Sequence, residues 1–451
     1  MASINRKTVS KNYTHEGAVA ETLNIEQQLR RSVMSCFLWE GTFYEDGVSI
    51  ADRIRALAAQ NTPEVVAALA IEMRDNGLRH APLLLLLDLV RRGGKGVAST
   101  IAEVVRRPDE LTELVSLYWL YNPGKGLSAQ LKKGLARAFL KFDAYQLAKY
   151  NRDGAVKLRD VLFLAHVKPQ TPEQEVLFKQ LVDGELAAPD TWEVNLSAGA
   201  DKKETFERLL TEGKLGYMAL LRNLRNMVQS GVSTKIVSDA IIARKGSRYV
   251  LPFRYIAAAK AAPQFENSIE TAFLASMQES EKLKGHTVVV IDVSGSMQGM
   301  LSGKSDMRRE DAANALAMIV RELSDTVSVY ATGGKTIYVP SRHGFALADA
   351  IKTSGAGYDG IYLKTAMDFV AANEKGPIDR VIVFTDEQDC GHGNQGPQYA
   401  VTPGKRNYLI NVASYRNGIG FGKWTKIDGF SESVIKYIIE AERVAGDEVT
   451  S

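Results

Sequence analysis

Cysteine is scarce in this chain, with two in 451 residues, Cys36 and Cys390. Two thiols so far apart supply neither a disulfide framework nor a cysteine-based zinc site, and they fit a reducing compartment. Long apolar runs are missing too. The longest strongly apolar stretch, Leu83–Leu87, is far too short to span a bilayer. The first twenty residues are polar and broken by charge, which argues against a secretory signal there. A soluble, cytoplasmic protein is expected, with no membrane contact. Strong net charge is also absent: the balance is +3, with 24% charged and 45% hydrophobic residues, ordinary for a globular chain. The small total hides an asymmetry. Residues 1–284 carry 39 Lys and Arg against 33 Asp and Glu, whereas residues 285–451 carry 17 against 20. A polyanionic partner is therefore expected on the front part.

A chain of this length holds two or three domains. Residues 1–20 read as a tail. From about 21 to 284 the apolar pattern is helical, with signals at 51–61, 63–76, 81–92, 98–106, 127–150, 216–230 and 234–244. No strict period recurs, so the pattern predicts a degenerate stack of amphipathic helix pairs covering one another. From 285 to 451 short apolar runs alternate with helical ones. Strands are expected at 286–292, 327–331, 336–339, 380–385 and 408–413, with helices at 307–323, 345–352, 362–372 and 431–444. That alternation predicts a mostly parallel, doubly wound α/β sheet.

The chemistry of the back part concentrates at two strand ends. The run 287–297, TVVVIDVSGSM, is a buried strand ending in Asp-x-Ser-x-Ser. Asp292, Ser294 and Ser296 share the following loop. A second apolar strand, 380–386, ends in Asp386. Ligands of open α/β sheets sit beyond the carboxyl ends of strands, and carboxylates with hydroxyls suit Mg²⁺. Asp386 alone reads best as a helix cap; with Asp292, Ser294 and Ser296 it reads as a divalent-cation site. Rival motifs fail on spacing. A dehalogenase-type phosphatase needs a carboxylate where Ser294 stands. A phosphate loop ending at Gly334-Lys335-Thr336 needs glycine where Val329 stands. The glycine triplets 355/357/360 and 391/393/396 do not join a strand to a helix.

The front part carries the cations. Leu127, Leu131, Leu135, Ala138, Phe139 and Phe142 make an apolar stripe at helical spacing. Lys133, Arg137 and Lys141 recur every fourth residue on another face, joined by Lys132 and Lys149, with Asp143 the one acid. Residues 213–260 hold nine Lys and Arg against Asp239 alone. There Tyr217, Leu221, Leu224 and Val228 form a core stripe, and Arg222, Arg225, Asn226 and Gln229 a polar one. Arg and Asn on one rigid face can meet phosphate and base edges. Arg244, Lys245, Arg248, Tyr249, Arg254 and Tyr255 interleave cations with aromatics, as single-strand binders do, although core packing is the better reading of each tyrosine taken alone. His166 and Lys168 follow the end of a helix. A neutral imidazole can donate, accept and stack, so an RNA contact is open there beside a packing role.

Two sets of segments resemble known families. DVSGSM at 292–297 and VFTD at 383–386 resemble a von Willebrand factor A domain with its metal-ion-dependent adhesion site. The resemblance implies a Mg²⁺ held by Asp292, Ser294, Ser296 and Asp386. The threonine expected from a third loop is Tyr358 here, whose hydroxyl lies much farther from the backbone. In the front half, FDAYQLAKY (142–150), LRDVLFLAHVKP (158–169), TWEV (191–194), MALLRNLRNM (218–227) and VLPFR (250–254) resemble the TROVE module of Ro ribonucleoproteins. That family joins a ring of HEAT-like α-helical repeats to a von Willebrand factor A domain, in this order. It implies a non-enzymatic, monomeric RNA scaffold for small structured (Y-like) RNAs and for single-stranded 3′ ends of misfolded or immature RNA. An exoribonuclease such as polynucleotide phosphorylase is the implied partner. Family RNA contacts are matched by Lys149 and His166. A nearby family arginine falls on Asp153, with Arg152 one position away. The alternative function is a protein-interaction hub acting through the von Willebrand factor A domain.

Overall fold

A computed structural model describes residues 24–34, 47–75, 78–247, 250, 253–277, 282–301, 307–390, 400–413 and 424–429, and positions 12–13, 19–20, 434–435, 438–439 and 442. Cys36, Arg248, Tyr249 and most of the helix expected at 431–444 lie outside the described residues. The chain forms two compact units. One comprises Ala51–Val250 and Ala258–Ala272; the other comprises Met1–Ile50, Leu251–Ala257 and Phe273–Ser451.

Strands β1 (Asn12–Tyr13) and β2 (Val19–Ala20) pair antiparallel and precede helix α1 (Ile25–Met34). The next helices described are α2 (Gly47–Gln60), α3 (Pro63–Asp75), α4 (His80–Arg92), α5 (Val97–Val104), α6 (Pro108–Tyr121) and α7 (Ala129–Phe139). They continue as α8 (Ala144–Tyr150), α9 (Leu158–Leu164), α10 (Pro172–Asp183), α11 (Trp192–Ser197), α12 (Lys202–Thr211), α13 (Tyr217–Gln229) and α14 (Thr234–Ala243). Helices α15 (Phe253–Ala261) and α16 (Glu266–Ala275) complete the series. The punctuation is local. Proline opens α3, α6 and α10, where its missing N–H costs nothing. Gly93 and Gly184 follow α4 and α10 with positive φ, as helix ends favour.

Packing is pairwise, with α3 on α4, α5 on α7 and α13 on α14. The stripe from Leu127 to Phe142 is buried throughout. The continuous helical signal at 127–150 is in fact two helices. Asp143 caps α8, accepting from the Gln146 N–H at 2.7 Å while Gln146 Oε1 receives the Asp143 N–H at 3.1 Å. The one acid of that stretch is thus a helix start. The core stripe of α13 also differs from expectation: Met227 is buried and Val228 is exposed. One charged pair lies inside the helical core. Arg74 Nη2 bonds Glu110 Oε1 at 3.0 Å, and Glu110 Oε2 accepts the backbone N–H of Arg106 at 2.8 Å.

In the other unit, six strands form one sheet in the order β5-β4-β3-β6-β7-β8: β3 (Leu283–Asp292), β4 (Ser324–Thr332), β5 (Thr336–Val339), β6 (Ile378–Thr385), β7 (Gly404–Asn411) and β8 (Thr425–Asp428). All pairings are parallel except the edge pair β4–β5. Helices α17 (Arg309–Leu323), α18 (Phe345–Lys352) and α19 (Leu363–Asn373) alternate with the strands. Val288, Val290, Leu363, Met367, Val383 and Leu409 make one buried layer between the sheet and α19. The expected class, α-helical repeats followed by a doubly wound α/β sheet, is the one observed. Strand β8 had no strong signal in the sequence.

Gly134 marks how tightly α7 meets α5. A Cβ there would lie 2.7 Å from the Cβ of Ile101. Gly134→Ala is therefore expected to destabilise the protein by about 1–3 kcal/mol through overpacking, against alanine's better helix propensity. Chemical denaturation of Gly134→Ala beside Gly216→Ala, where no atom lies within 4 Å of the added Cβ, checks this.

Candidate nucleic-acid interface and strand-end site

A cleft of about 870 Å³ opens among α8, α11 and α13 of the helical unit. Four of the sequence-predicted residues line it: Lys149, Arg152, Arg222 and Asn226. Arg79, Arg107 and Lys214 add cations, Tyr145, Tyr150 and Trp192 add aromatic faces, and Glu193 is the one acid of the lining. The cations fall into two groups. Arg107 pairs with Asp109 at 3.0 Å, Arg79 also pairs with Asp109, and Lys214 bonds Asp190 at 3.0 Å and Glu212 at 2.7 Å. Among the described residues, no acid pairs with Lys149, Arg152 or Arg222. Their charge is available to an outside anion.

Aromatic rings flank one cation of each group, Lys149 and Arg107. Lys149 Nζ lies 5.7 Å from the Tyr145 ring centroid and 5.8 Å from that of Tyr150, and Arg107 sits 4.6 Å over Tyr150. Such contacts restrain an ammonium without neutralising it. Tyr145 is 47% exposed, so much of its surface is open to solvent. Trp192 stacks on Phe206, ring centroids 6.2 Å apart. Asn226 is set by the buried Asn223, whose Oδ1 accepts the Asn226 amide at 3.0 Å. The wall at α11 and α12 is braced by Asp190, which accepts both terminal nitrogens of Arg208 at 2.7 and 2.9 Å and the amide of Asn195 at 3.0 Å. These donors hold the Asp190 carboxyl far below the usual carboxylate range.

Other predicted positions lie elsewhere. Lys133 and Arg137 are exposed on α7, and Arg137 donates to Ser99 Oγ at 2.9 Å. Lys141 is committed internally: its ammonium bonds the carbonyls of Ala102 and Val105 at the end of α5, where a cation suits the helix dipole. Burial lowers its pKa. Arg225 is exposed on α13 without lining the cleft. His166 and Lys168 are exposed beyond the end of α9, also outside the cleft lining. His166 has φ 52°, a left-handed conformation that costs a non-glycine residue about 1 kcal/mol or more. Arg254 is half-buried on α15 and belongs to the sheet-bearing unit. Arg248 lies outside the described residues. Sequence reading missed Arg79, Arg107, Lys214, Tyr145, Tyr150 and Trp192 as site residues. Tyr145 and Tyr150 flank Lys149 at helical and adjacent spacing, so that signal was present. Arg79 and Arg107 reach the cleft only through tertiary packing.

The parallel pairing of β3 with β6 brings the four strand-end residues together. Asp292 is fully buried, and Ser294 and Asp386 nearly so. Asp292 Oδ1 accepts the Ser294 N–H at 2.8 Å and Oδ2 accepts the Thr385 hydroxyl at 2.6 Å. Ser294 Oγ and Ser296 Oγ lie 3.2 Å apart. Burial, then the nearby Asp386 charge, pushes the Asp292 carboxyl well above its ordinary range. The third loop approaches by its backbone. A Cβ on Gly333 would lie 2.3 Å from the Gly357 carbonyl, so only glycine permits this approach, and the Gly295 N–H reaches Asp359 O at 3.4 Å. The Tyr358 side chain is 60% exposed and so points to solvent instead of filling the expected threonine's place. Arg309 supplies what sequence reading did not foresee. Its side chain is buried, and Nη1 donates to Asp386 Oδ2 at 3.1 Å and to the Ser296 carbonyl at 3.3 Å. An arginine already neutralises one expected metal-linked carboxylate, and a divalent ion added beside it would meet a like charge at low dielectric. As arranged, these residues do not fit an octahedral Mg²⁺.

The TROVE domain family model matches residues 184–289. The crystal structure of the Deinococcus radiodurans RO (RSR) protein superposes with a TM-score of 0.59 at 18% identity, covering 90% of this chain and 97% of that one. Telomerase protein component 1 of Mus musculus is 44% identical over 50 residues, 11% of this chain and 2% of that protein. The Rattus norvegicus protein of the same name is 44% identical over 48 residues, again 11% and 2%. The chain thus spans only about 2% of the length of these curated relatives. The fold it shares with the Deinococcus protein extends over nearly its whole length.

Lys141→Ala is expected to lower stability by about 1–2 kcal/mol, since two charge-assisted bonds to helix-end carbonyls are lost. Lys133→Ala should leave the denaturation midpoint unchanged. Parallel denaturant titrations compare the two.

Proposed function

With a TROVE domain inside a Ro-type fold as the premise, we propose that this protein binds RNA as the scaffold of a ribonucleoprotein. The observation that carries the reading is the cleft of the helical unit, where Lys149, Arg152 and Arg222 lack acid partners among the described residues and stand beside Tyr145, Tyr150 and Trp192. Free cations bind phosphates and release their counterions. Aromatic faces receive unstacked bases irrespective of sequence. A cleft of this size takes a few unpaired nucleotides and is too small for a duplex. The ligand it fits is a single-stranded end, as misfolded or immature RNAs expose at 3′ termini.

Exposed Lys133, Arg137, His166 and Lys168 offer a second, outer set of contacts for the folded part of a small structured, Y-like RNA. Together the two sets select an RNA that has both a structured body and a loose end, which is a test of folding quality. The protein acts by holding its ligand, and an exoribonuclease of the polynucleotide phosphorylase type is the partner class that would consume the presented end. No observation favours the protein-hub alternative.

The test is fluorescence anisotropy with a hairpin RNA bearing a single-stranded 3′ tail, beside the same hairpin without it. The tailed RNA should bind more tightly, with log K falling linearly against log salt. Lys149→Ala/Arg222→Ala should weaken binding and flatten the slope by about 1.4, or about 0.7 for each lost contact to single strand. Tyr145→Ala should cost about 1–3 kcal/mol of affinity for the tailed RNA with the salt slope unchanged. Absence of binding at low salt by folded protein would sink the RNA reading.

A further inference from the structure

Arg309 has no role in the reading above, yet it is the largest fully buried side chain among the described residues. It opens α17, with its N–H on the Gly299 carbonyl at 3.0 Å. From there the guanidinium reaches two segments at once: the Asp-x-Ser-x-Ser loop, through the Ser296 carbonyl at 3.3 Å, and the end of β6, through Asp386 Oδ2 at 3.1 Å. These are the two segments that a divalent ion bound by Asp292, Ser294, Ser296 and Asp386 would bridge. We propose that the Arg309 guanidinium is the resident cation of this strand-end site, so that the site is held together without a metal.

Three features support the assignment. Arginine keeps its charge even when buried, unlike lysine, so it can serve as a fixed cation in a dry place. The carboxylate facing it, Asp386, is nearly inaccessible, so the pair is not screened by solvent, and its removal from one side leaves an uncompensated buried charge. The neighbouring groups are engaged without a metal. Asp292 is satisfied by the Thr385 hydroxyl and the Ser294 N–H, and the third loop sends Tyr358 outward where a metal would need a hydroxyl. A guanidinium buried with Asp386 is also out of reach of a carboxylate on another molecule. This site therefore does not capture a partner's carboxylate as a metal-bearing adhesion site does.

The experiment is Mn²⁺ titration of the full chain by electron paramagnetic resonance, with thermal melts in Mg²⁺ and in EDTA. Wild type should show no saturable Mn²⁺ site that depends on Asp292, and the same melting temperature in both buffers. Arg309→Ala should melt lower in EDTA and recover in Mg²⁺ or Mn²⁺, having gained one Mn²⁺ site that Asp292→Asn removes. A tight Mn²⁺ site in wild type that Asp292→Asn abolishes would overturn the proposal. So would an Arg309→Ala protein that melts as wild type does in EDTA, because the guanidinium would then bridge nothing. If Arg309→Ala does not fold, the wild-type titration still decides.

Discussion

A basic side chain can bind phosphate only if no acid of its own protein has claimed it first. This constraint separates the cations of the helical unit. Arg79, Arg107 and Lys214 sit at the same cleft as Lys149, Arg152 and Arg222, but they are tied to Asp109, Asp190 and Glu212. The tied residues build the wall; the others give it charge. The aromatic rings matter for the same reason. They orient Lys149 without cancelling it, which a carboxylate could not do.

The sheet-bearing unit solves the opposite problem. Its parallel strands deliver acids to one edge, and a second, compensating charge has to come from another element. That element is the start of α17, which brings Arg309 against Asp386. A similar arrangement stabilises Arg74 against Glu110 in the helical core. In both cases arginine spans elements distant in sequence, and the acid it meets also accepts backbone N–H groups. The geometry of the pair, more than its Coulomb attraction, is what makes burial tolerable.

Much of this was legible beforehand. Periodicity fixed the face of α7 that is buried, because Leu131, Leu135, Ala138 and Phe139 at helical spacing leave one solution. The alternation after residue 285 gave the sheet, and apolar strands ending in acids gave the adjacency of Asp292 and Asp386. What escaped notice has physical reasons. A helical signal does not reveal that one helix ends at Phe139 and Asp143 starts the next, since the same apolar spacing continues across the break. Spacing cannot tell that Lys141 reaches two carbonyls on α5, nor that Arg309, in a charged stretch typical of a solvated helix start, turns inward. The Arg79 and Arg107 contributions to the cleft depend on packing across helices and leave no local trace. His166 was readable as a candidate, but its left-handed backbone was not.

The arrangement of the chain between the two units bears on how the molecule is made. Helix α1 precedes the helical unit yet packs with β8, the last strand of the sheet. The helical unit is thus an insertion, and nearly all of it leaves the ribosome before the sheet exists. It can fold early and locally. Leu29 and Val33 on α1 are fully buried in the finished protein, and β8 begins only at residue 425. The contact between α1 and β8 can therefore form only after the inserted unit and nearly all of the sheet have been synthesised.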